Sequence, residues 1–342
     1  MANMKYLIQR VLDMDYKAML STINSIHRNT GRGRLAIFLD MKDCALKHGA
    51  GYVDYEQFEL YNLTDEQRST YLTRGRNNQM VIKYNDKSRF DDFDDKIKFN
   101  RLFSKYLLRD WVPVTGDNKD EVLDFLGHHE VFMAKPTHGY CGYGIEKLNT
   151  ADFENLDALY DYLVKYAPEM ELEEIIVQHP DVDAIYSGSI NTIRLVTIRG
   201  KSGKVYPFSA VFRIGNGKFV DNFNSGGMVA PVDVEKGIVT EKALDKDKNL
   251  FENHPFTGTP IKGFRFPDWD NVIEMVSEAA QVIPEVGYVG WDVCFTPNGP
   301  CLVEGNHFPG NGLYQLPVHT PDKIGLMPRF QAIEDAENNL NA

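Results

Sequence analysis

Two acids and an amide lie near the end of the chain, in the stretch GWDVCFTPNGPCLVEGN (290–306). Glu304 and Asn306 come twelve and fourteen positions after Asp292. Apolar residues flank both acids, and a carboxylate near a protein core needs a metal ion or hydrogen-bond partners. Magnesium prefers oxygen ligands and is usually held by one or two carboxylates together with phosphate oxygens. The stretch therefore predicts a magnesium site, while a solvated acidic face of a hairpin is the alternative.

The element that must position these three side chains is a β-hairpin. YVGWDVCFT and PCLVEGN are apolar runs joined by the turn signal PNG (297–299), which is typical of two antiparallel strands. Glu304 and Asn306 are two residues apart, so they point to the same side of an extended strand. The hairpin would bring Asp292 toward them from the neighbouring strand.

A second pattern with chemical potential begins at Lys135, near the end of the apolar strand EVFMAKP (130–136). The turn that follows contains Gly139, Gly142 and Gly144, and glycines let backbone N–H groups approach phosphate oxygens closely. Lysine would add a positive point charge. The pattern is not the GxxxxGK[ST] loop that precedes a helix, so a purely structural hairpin remains the alternative.

Two arginines, Arg194 and Arg213, each lie in the middle of a predicted strand between apolar neighbours. Alternation turns them to the face opposite those neighbours. One interpretation is a surface arginine paired with a carboxylate. The other is planar, bidentate binding of a γ-phosphate or of the carboxylate of an acceptor.

The elements around these residues predict an α+β fold with antiparallel strands in its second half. Residues 1–110 are predicted to be mainly helical, including a helix from Asp94 to about Arg109. Residues 111–180 would form a small lobe with the glycine-rich loop, and EEIIVQHP (173–180) is predicted as a buried strand. Residues 181–330 would form a large lobe with the metal site and an acceptor loop.

Composition excludes several classes of function. The formal net charge of −12, from 37 basic and 49 acidic residues, disfavours nucleic-acid binding because it repels a phosphate backbone. The four cysteines show no CxxC spacing and are expected to be small apolar core residues in a reducing compartment. The first 20 residues lack the continuous apolar segment of a signal peptide. We therefore expect a cytoplasmic protein without a membrane span.

The order of these patterns resembles the ATP-grasp superfamily, in which two α+β lobes clasp ATP. The sequence is most similar to the sugar-transfer-associated branch. The similar segments are SINTIRLVTI (189–198), VFRIGNGKFVDNFNSGGMVAPVD (211–233) and GWDVCFTPNGPCLVEGN (290–306), with DYEQFELYNLTDEQRSTYLTRG (54–75) as a helical N-terminal leader. The resemblance spans about residues 50–320.

The resemblance implies ATP and Mg²⁺ as cofactors and assigns nucleotide roles by position. Lys96 and Lys135 would bind the α- and β-phosphates, and the loop with Gly139, Gly142 and Gly144 would cover the phosphates. Backbone groups around Gln178 and His179 would contact adenine, and Asp183 would bind the ribose. The metal ligands would be Asp292, Glu304 and Asn306. The acceptor loop NFNSGG would contribute Asn222, Asn224, Ser225, Gly226 and Gly227. D-alanine–D-alanine ligases have an arginine two residues before the first metal acid, whereas this chain has Gly290, so Arg194 or Arg213 would stabilise transition-state charge.

The activity that the resemblance implies is an ATP-dependent ligase. It would activate a small-molecule carboxylate, a sugar acid or an amino acid, as an acyl phosphate that an amine then attacks, in surface-polysaccharide or sugar-conjugate biosynthesis. A kinase that transfers the γ-phosphoryl group to a hydroxyl is one alternative, and a nucleotide-binding regulator is another. The first 50 residues would form a reduced N-terminal lobe, contact the substrate, or mediate a homodimer.

Overall fold

The computed structural model describes residues 15–138 and 144–340. The chain divides into two compact units, residues 1–80 with 310–329 and residues 81–309 with 330–342. Both β-sheets belong to the second unit, and every strand pair in them is antiparallel. The predicted α+β class with a helical N-terminal region is therefore confirmed. The division into regions 1–110, 111–180 and 181–330 stays a prediction.

The helices of the described residues are numbered here in chain order. They are α1 (Tyr16–Thr30), α2 (Arg34–His48), α3 (Tyr52–Gln57), α4 (Asp65–Ser69), α5 (Arg74–Tyr84), α6 (Asp91–Asp94), α7 (Lys96–Leu102), α8 (Lys119–His128), α9 (Leu156–Leu163), α10 (Pro180–Asp183), α11 (Trp269–Ala279) and α12 (Met327–Leu340). Within the described ranges, no helix has both the length and the apolar character needed to cross a membrane.

The first unit is helical. Asp15 caps α1 by accepting a hydrogen bond from Ala18, and Gly31 ends the helix with a φ of 71°, a left-handed conformation that glycine adopts without strain. Arg68 and Asp40 form a bidentate pair with two distances of 2.8 Å. Such a fork restricts the geometry more than a single hydrogen bond would.

The smaller sheet of the second unit has the strand order β1–β4–β2–β3. Its strands are β1 (Trp111–Val114), β2 (Val131–Pro136), β3 (Glu146–Asn149) and β4 (Met170–Glu174). Helices α8 and α9 pack their apolar sides on it, with Leu126 and Leu159 among the buried side chains. The predicted hairpin around the glycine-rich turn is present, because β2 pairs with β3.

The larger sheet has the order β10–β9–β7–β6–β5–β11–β12, and β8 pairs with β7 beside it. Its strands are β5 (Thr192–Arg199), β6 (Val205–Ile214), β7 (Met228–Asp233), β8 (Ile238–Val239), β9 (Ala243–Asp245), β10 (Leu250–Phe251), β11 (Tyr288–Thr296) and β12 (Gly299–Asn306). One face carries the main apolar core, to which Trp291, Val293 and Phe295 contribute from β11. Alternation turns Asp292 and Cys294 to the other face.

Two elements differ from the sequence prediction. The helix predicted from Asp94 to about Arg109 is shorter in the structure: Asp95 caps its start by accepting from two backbone N–H groups, α7 ends at Leu102, and a 3₁₀ turn follows over Ser104–Tyr106. The strand predicted over 173–180 ends at Glu174, and residues 175–179 form no strand. Val177 is 67% exposed, so this segment lacks the burial that its apolar sequence suggests.

Candidate active site

A row of charged side chains crosses the polar face of the larger sheet. Arg194 on β5 and Glu304 on β12 are the direct cross-strand neighbours of Asp292 on β11, one on each side. Arg194 binds both oxygens of Asp292, and its Nη2 atom lies 2.8 Å from Oδ2. The same Nη2 atom lies 3.4 Å from Oε1 of Glu304. The pairing of β11 with β12 contains a β-bulge between Asp292 and Val293.

Arg213 extends the row on β6. Its Nη1 atom donates to Oδ2 of Asp292 at 2.6 Å, and its Nη2 atom donates to Asp221 at 3.1 Å. Burial would raise the pKa of Asp292, but the charges of Arg194 and Arg213 outweigh it and hold this pKa well below its usual value. Burial raises the pKa of Asp221 despite its contact with Arg213. Asp292 is therefore the firmly ionised member of the row.

Glu304 and Asn306 complete the row on β12. Asn306 Nδ2 donates to Oε1 of Glu304 at 3.1 Å, which fixes the amide beside the carboxylate. Although 46% of the Glu304 side chain is exposed, surrounding protein and the adjacent charge of Asp292 raise its pKa. Two carboxylates and an amide oxygen are thus within one small region, an arrangement that a hard cation would stabilise. Among the described residues, no group of three or more His, Cys, Asp or Glu side chains is arranged to hold a metal ion.

A cavity of about 320 Å³ lies between this row and the smaller sheet. It is lined from α7 by Lys96, Phe99 and Asn100, from β2 by Lys135, from β4 by Glu171 and Glu173, from β12 by Val303, Glu304, Gly305 and Asn306, and beyond these by Phe93, Asp94, Ile145, His307 and Phe308. Four of the predicted site residues therefore share one cavity, which brings two lysines near an acid and an amide.

A buried network forms the wall of the cavity on the side of the smaller sheet. Arg109 binds Glu173 through two nitrogens, at 2.7 and 3.0 Å, and Lys135 donates to the same carboxylate. Burial would raise the pKa of Glu173, but these two cations lower it. Glu171 receives a hydrogen bond from Asn100 at 2.9 Å, while its Oε1 atom is buried and has no hydrogen-bond partner. Burial and the charge of Glu173 raise the pKa of Glu171 to about 8.

The residues predicted to bind adenine and ribose lie outside the cavity lining. The Gln178 side chain is buried, accepts from the Asn191 backbone at 2.7 Å, and donates to Asp183 at 3.1 Å. The His179 backbone N–H donates to the Phe295 carbonyl at 2.7 Å, which joins this segment to β11. The structure thus brings Gln178, His179 and Asp183 together with one another, and it gives their side chains internal partners.

The predicted acceptor loop forms a compact turn held by its own hydrogen bonds. Asn222 caps a 3₁₀ turn over Phe223–Ser225 by accepting from the Asn224 N–H. Gly226 has a φ of 108°, and a Cβ atom on Gly227 would come within 2.3 Å of the Asp221 carbonyl, so both positions require glycine. None of the five predicted loop residues, Asn222, Asn224, Ser225, Gly226 and Gly227, contributes to the cavity lining.

The glycine-rich turn after β2 is described in part. Gly139 and Gly142 lie outside the described residues. Gly144 has a φ of 77°, and a Cβ atom there would lie 2.9 Å from the Pro136 ring, so a larger residue would strain the turn. The neighbouring backbone contact is the bond from the Lys96 N–H to the Thr137 carbonyl, which holds the start of α7 against the end of β2.

Sequence reasoning missed the buried carboxylates Glu171 and Glu173, together with Arg109. One signal was available, since MELEE (170–174) places two acids two residues apart and hence on one face of a strand. That strand pairs with β2 so that Glu171 is directly opposite Lys135. The identity of the partner strand was the missing information.

The comparisons with known proteins give one family. The family model described as sugar-transfer associated ATP-grasp matches residues 75–335. No curated protein matches the chain.

Solved structures show a more distant similarity. The chain has 14% identity and a TM-score of 0.40 to purK, the N5-carboxyaminoimidazole ribonucleotide synthetase, in its ADP complex, covering 65% of this chain and 46% of that one. The ATP-grasp ligase PsnB with a phosphomimetic precursor variant, Mg and ADP has 13% identity and a TM-score of 0.39, and the match covers 70% of this chain and 58% of that one. D-alanine–D-alanine ligase from Bacillus anthracis has 16% identity and a TM-score of 0.40, and the match covers 73% of this chain and 68% of that one. The chain thus spans about half of the length of the first two proteins. Because the family model covers most of its residues, this chain belongs to the sugar-transfer associated ATP-grasp family.

Proposed function

We propose that this protein is an ATP-dependent ligase that activates a small-molecule carboxylate as an acyl phosphate for attack by an amine. One observation carries the proposal: Lys96, Lys135, Glu304 and Asn306 line a single cavity between the two sheets. Two ammonium groups suit a polyphosphate, and the oxygen donors suit the cation that accompanies it. Membership of the family supports the same interpretation.

The donor set fits magnesium. Asp292 and Glu304 are direct cross-strand neighbours, and the amide of Asn306 lies beside Glu304, so only oxygen ligands are offered. Asp292, Glu304 and Asn306 would hold the ion, with phosphate oxygens as its further ligands. A bound magnesium ion would neutralise charge on the phosphates during transfer. Because both arginines contact Asp292, ligation by this residue would require some of those contacts to be given up.

The side chains of this protein would position the reactants rather than react with them. Lys96 and Lys135 would bind the α- and β-phosphates, and Arg194 and Arg213 would stabilise negative charge on the transferred group or the acceptor. A carboxylate oxygen of the substrate attacks the γ-phosphorus, and the bond to the β-phosphate oxygen breaks to release ADP. The amine nitrogen then attacks the acyl carbon and loses a proton, and inorganic phosphate leaves.

The remaining roles follow the family resemblance. Backbone groups near Gln178 and His179 would contact adenine, Asp183 the ribose, and Gly139, Gly142 and Gly144 the phosphates. The acceptor would lie against the loop of Asn222, Asn224, Ser225, Gly226 and Gly227. We further propose a cytoplasmic reaction, where ATP is supplied, with a sugar acid or amino acid as substrate in surface-polysaccharide or sugar-conjugate biosynthesis. A homodimer is part of the same proposal.

A product assay tests the proposal. The protein is incubated with Mg-ATP and pooled sugar acids and amino acids, with and without hydroxylamine, and the products are followed by phosphorus NMR and mass spectrometry. ADP, free phosphate and a hydroxamate adduct would support the ligase. ADP with a stable phosphoester and no hydroxamate would make this protein a kinase. Nucleotide binding without ADP formation would favour a regulator.

The matched variants for this assay are Glu304→Ala and Glu274→Ala. Glu274 is an exposed acid on α11, outside the cavity lining, so its loss leaves the site intact. We expect Glu304→Ala to abolish product formation while Glu274→Ala keeps it. Equal activity of the two variants would remove Glu304 from the site.

A further inference from the structure

Two cysteines face each other in the hairpin that carries the charged row. Cys294 on β11 is the direct cross-strand partner of Cys301 on β12. Their sulfur atoms are 3.0 Å apart, and both side chains are completely buried as free thiols. Directly opposite residues of antiparallel strands have Cα atoms about 4.5–5.5 Å apart, which is within the range that disulfides span. The backbone therefore already has the spacing that a bond between the two sulfurs needs.

The pair lies in the hairpin at the edge of the larger sheet. β12 is at the end of the strand order of the larger sheet, so one of its sides has no neighbouring strand among the described residues. Only two residue pairs, Phe295 with Pro300 and Thr296 with Gly299, separate the cysteines from the turn, and Asn298 in that turn is exposed. Proline has no N–H to donate to the ladder, which weakens this end of the hairpin. We expect fraying from the turn to give a small reagent a path to the thiols.

A buried ion pair lies beside the hairpin. The buried guanidinium of Arg109 donates to the Leu302 carbonyl at 2.6 Å, in the residue that follows Cys301. The same guanidinium binds Glu173 through two nitrogens, at 2.7 and 3.0 Å, so a buried ion pair packs beside the strand of Cys301. The third described cysteine, Cys44, lies on α2 in the other compact unit, so it has no cross-strand cysteine opposite it.

We propose that Cys294 and Cys301 form a reversible intrachain disulfide. In the first step one cysteine thiolate attacks a small-molecule disulfide such as oxidised glutathione, which gives a mixed disulfide and one released thiol. The second cysteine then attacks the protein sulfur and releases the second small thiol. Two electrons pass from the protein to the small disulfide, and the two protein protons end on the released thiols. The bond joins the strand of Asp292 to the strand of Glu304, close to the charged row.

This site does not depend on the proposed ligase activity, because its first readout is covalent. The full-length chain with Cys141→Ser, which removes the thiol of the glycine-rich turn, is incubated with oxidised glutathione. Free thiols are blocked in denaturant with a light alkylating reagent, the protein is reduced, and the released thiols receive a heavy reagent. Trypsin leaves both cysteines in one peptide, residues 266–323, because no lysine or arginine precedes Lys323 within it.

We expect the oxidised peptide to lose the mass of two hydrogens, to carry two heavy labels after reduction, and to return to the dithiol with dithiothreitol. Cys44 should carry the light label throughout. Two light labels on the peptide at every glutathione ratio would overturn the proposal and make the pair a packing contact. A stable glutathione adduct on one cysteine without ring closure would overturn it as well.

Single variants supply a second measurement. In Cys294→Ser and Cys301→Ser the remaining cysteine should form only a mixed disulfide with glutathione, whereas Cys44→Ala should leave ring closure unchanged. Oxidation should shift the thermal midpoint of the unmodified chain and of Cys44→Ala, and it should leave no such shift in the serine variants. If a serine variant does not fold, the mass and label pattern of the chain with both cysteines still decides the outcome.

Discussion

Arg194 and Asp292 are direct cross-strand neighbours on β5 and β11, and a bidentate ion pair joins them. The carboxylate also accepts a hydrogen bond from Arg213, so two cations hold one anion on the polar face of the sheet. This relationship means that the proposed metal acid is already charged and oriented by its neighbours. Removing either arginine should therefore change both the folding stability and the chemistry of the site.

The first prediction concerns the arginine of this pair. Arg194→Met should reduce turnover roughly 100-fold or more, because a charge-stabilising group is lost from the site. It should also destabilise the fold by about 1.5–3 kcal/mol, the usual range for a hydrogen bond to a charged group. Urea denaturation and steady-state kinetics measure the two effects. Arg199→Met is the matched control, since Arg199 lies on the same strand and its partner, Gln281, is at the exposed surface. Equal kinetics for the two variants would contradict the assignment.

The second prediction concerns Glu304, the partly exposed acid of the charged row on β12. Glu304→Gln keeps the shape of the side chain but removes a negative charge that a cation would use. We expect magnesium-dependent binding of ADP, followed by calorimetry, to weaken at least tenfold, while binding without magnesium changes little. Glu274→Gln should show the magnesium dependence of the unmodified protein. A Glu304→Gln variant with unchanged magnesium dependence would exclude Glu304 as a ligand.

The third prediction concerns the lysine on β2. Lys135→Met should raise the KM for ATP about tenfold to a hundredfold, because one charge-assisted contact to the phosphates is lost. The matched control is Lys147→Met, an exposed lysine on the adjacent strand β3, opposite Met133. Lys135→Met also leaves Glu173 with Arg109 as its only cation in this network, so the urea midpoint of that variant should fall slightly. A KM for ATP that matches the control would remove Lys135 from the nucleotide site.

The fourth prediction is a pH dependence of stability caused by Glu171. Its pKa rises from an ordinary value of 4.5 to about 8 in the folded protein. Between these pH values the folded state holds a proton that the unfolded state has lost, so this residue makes stability fall as pH rises from about 4.5 to about 8. Glu171→Gln mimics the protonated acid and should remove that decline. The stability difference between variant and unmodified protein should therefore grow toward pH 8, by up to about 1.4 kcal/mol for each pH unit within this range.

The matched variant for this measurement is Glu173→Gln. The pKa of Glu173 is lowered, so its contribution is present at neutral pH and lost only in strong acid. Glu173→Gln should therefore destabilise the protein at every pH from about 5 to about 8, because buried Arg109 loses its partner. A Glu171→Gln variant whose unfolding free energy runs parallel to that of the unmodified protein across this range would show that Glu171 is ionised.

The sequence predicted the parts of the site that depend on local patterns. The hairpin across PNG, the face shared by Glu304 and Asn306, and the strand ending near Lys135 all follow from alternation and turn residues, and the structure contains them. The pairing of Arg194 with Asp292 was not predictable, because strand order in a sheet of distant strands is not encoded in local periodicity. The roles of Gln178, His179 and Asp183 stay predictions.

The errors in the predicted elements have physical causes. The helix predicted to reach Arg109 ends at Leu102, because the backbone at Phe103 leaves the helical range and Leu108 has a φ of 48°, conformations that apolar periodicity does not reveal. The apolar segment after Glu174 has the composition of a strand, yet residues 175–179 join neither sheet, and the segment contacts β11 through the bond from the His179 N–H to the Phe295 carbonyl. The buried acids of β4 look like surface residues until the arginine and lysine that neutralise them are known.

The β-bulge beside Asp292 explains why Asp292 and Glu304 are twelve positions apart and still form a cross-strand pair. In a regular antiparallel hairpin, residues that share a pair are separated by an odd number of positions when the turn has two residues, and Cys294 with Cys301 obeys this rule. Asp292 and Glu304 are an even number apart, and they meet only because one extra residue is inserted on β12. If the regular register continued past Val293, Glu304 would pair with Trp291 and would face the apolar core. Parity of the acid-to-acid distance is therefore a test for aligning this hairpin with relatives: an odd distance calls for an unbulged ladder, and the one-residue gap in the alignment then belongs at the bulge between the two acids.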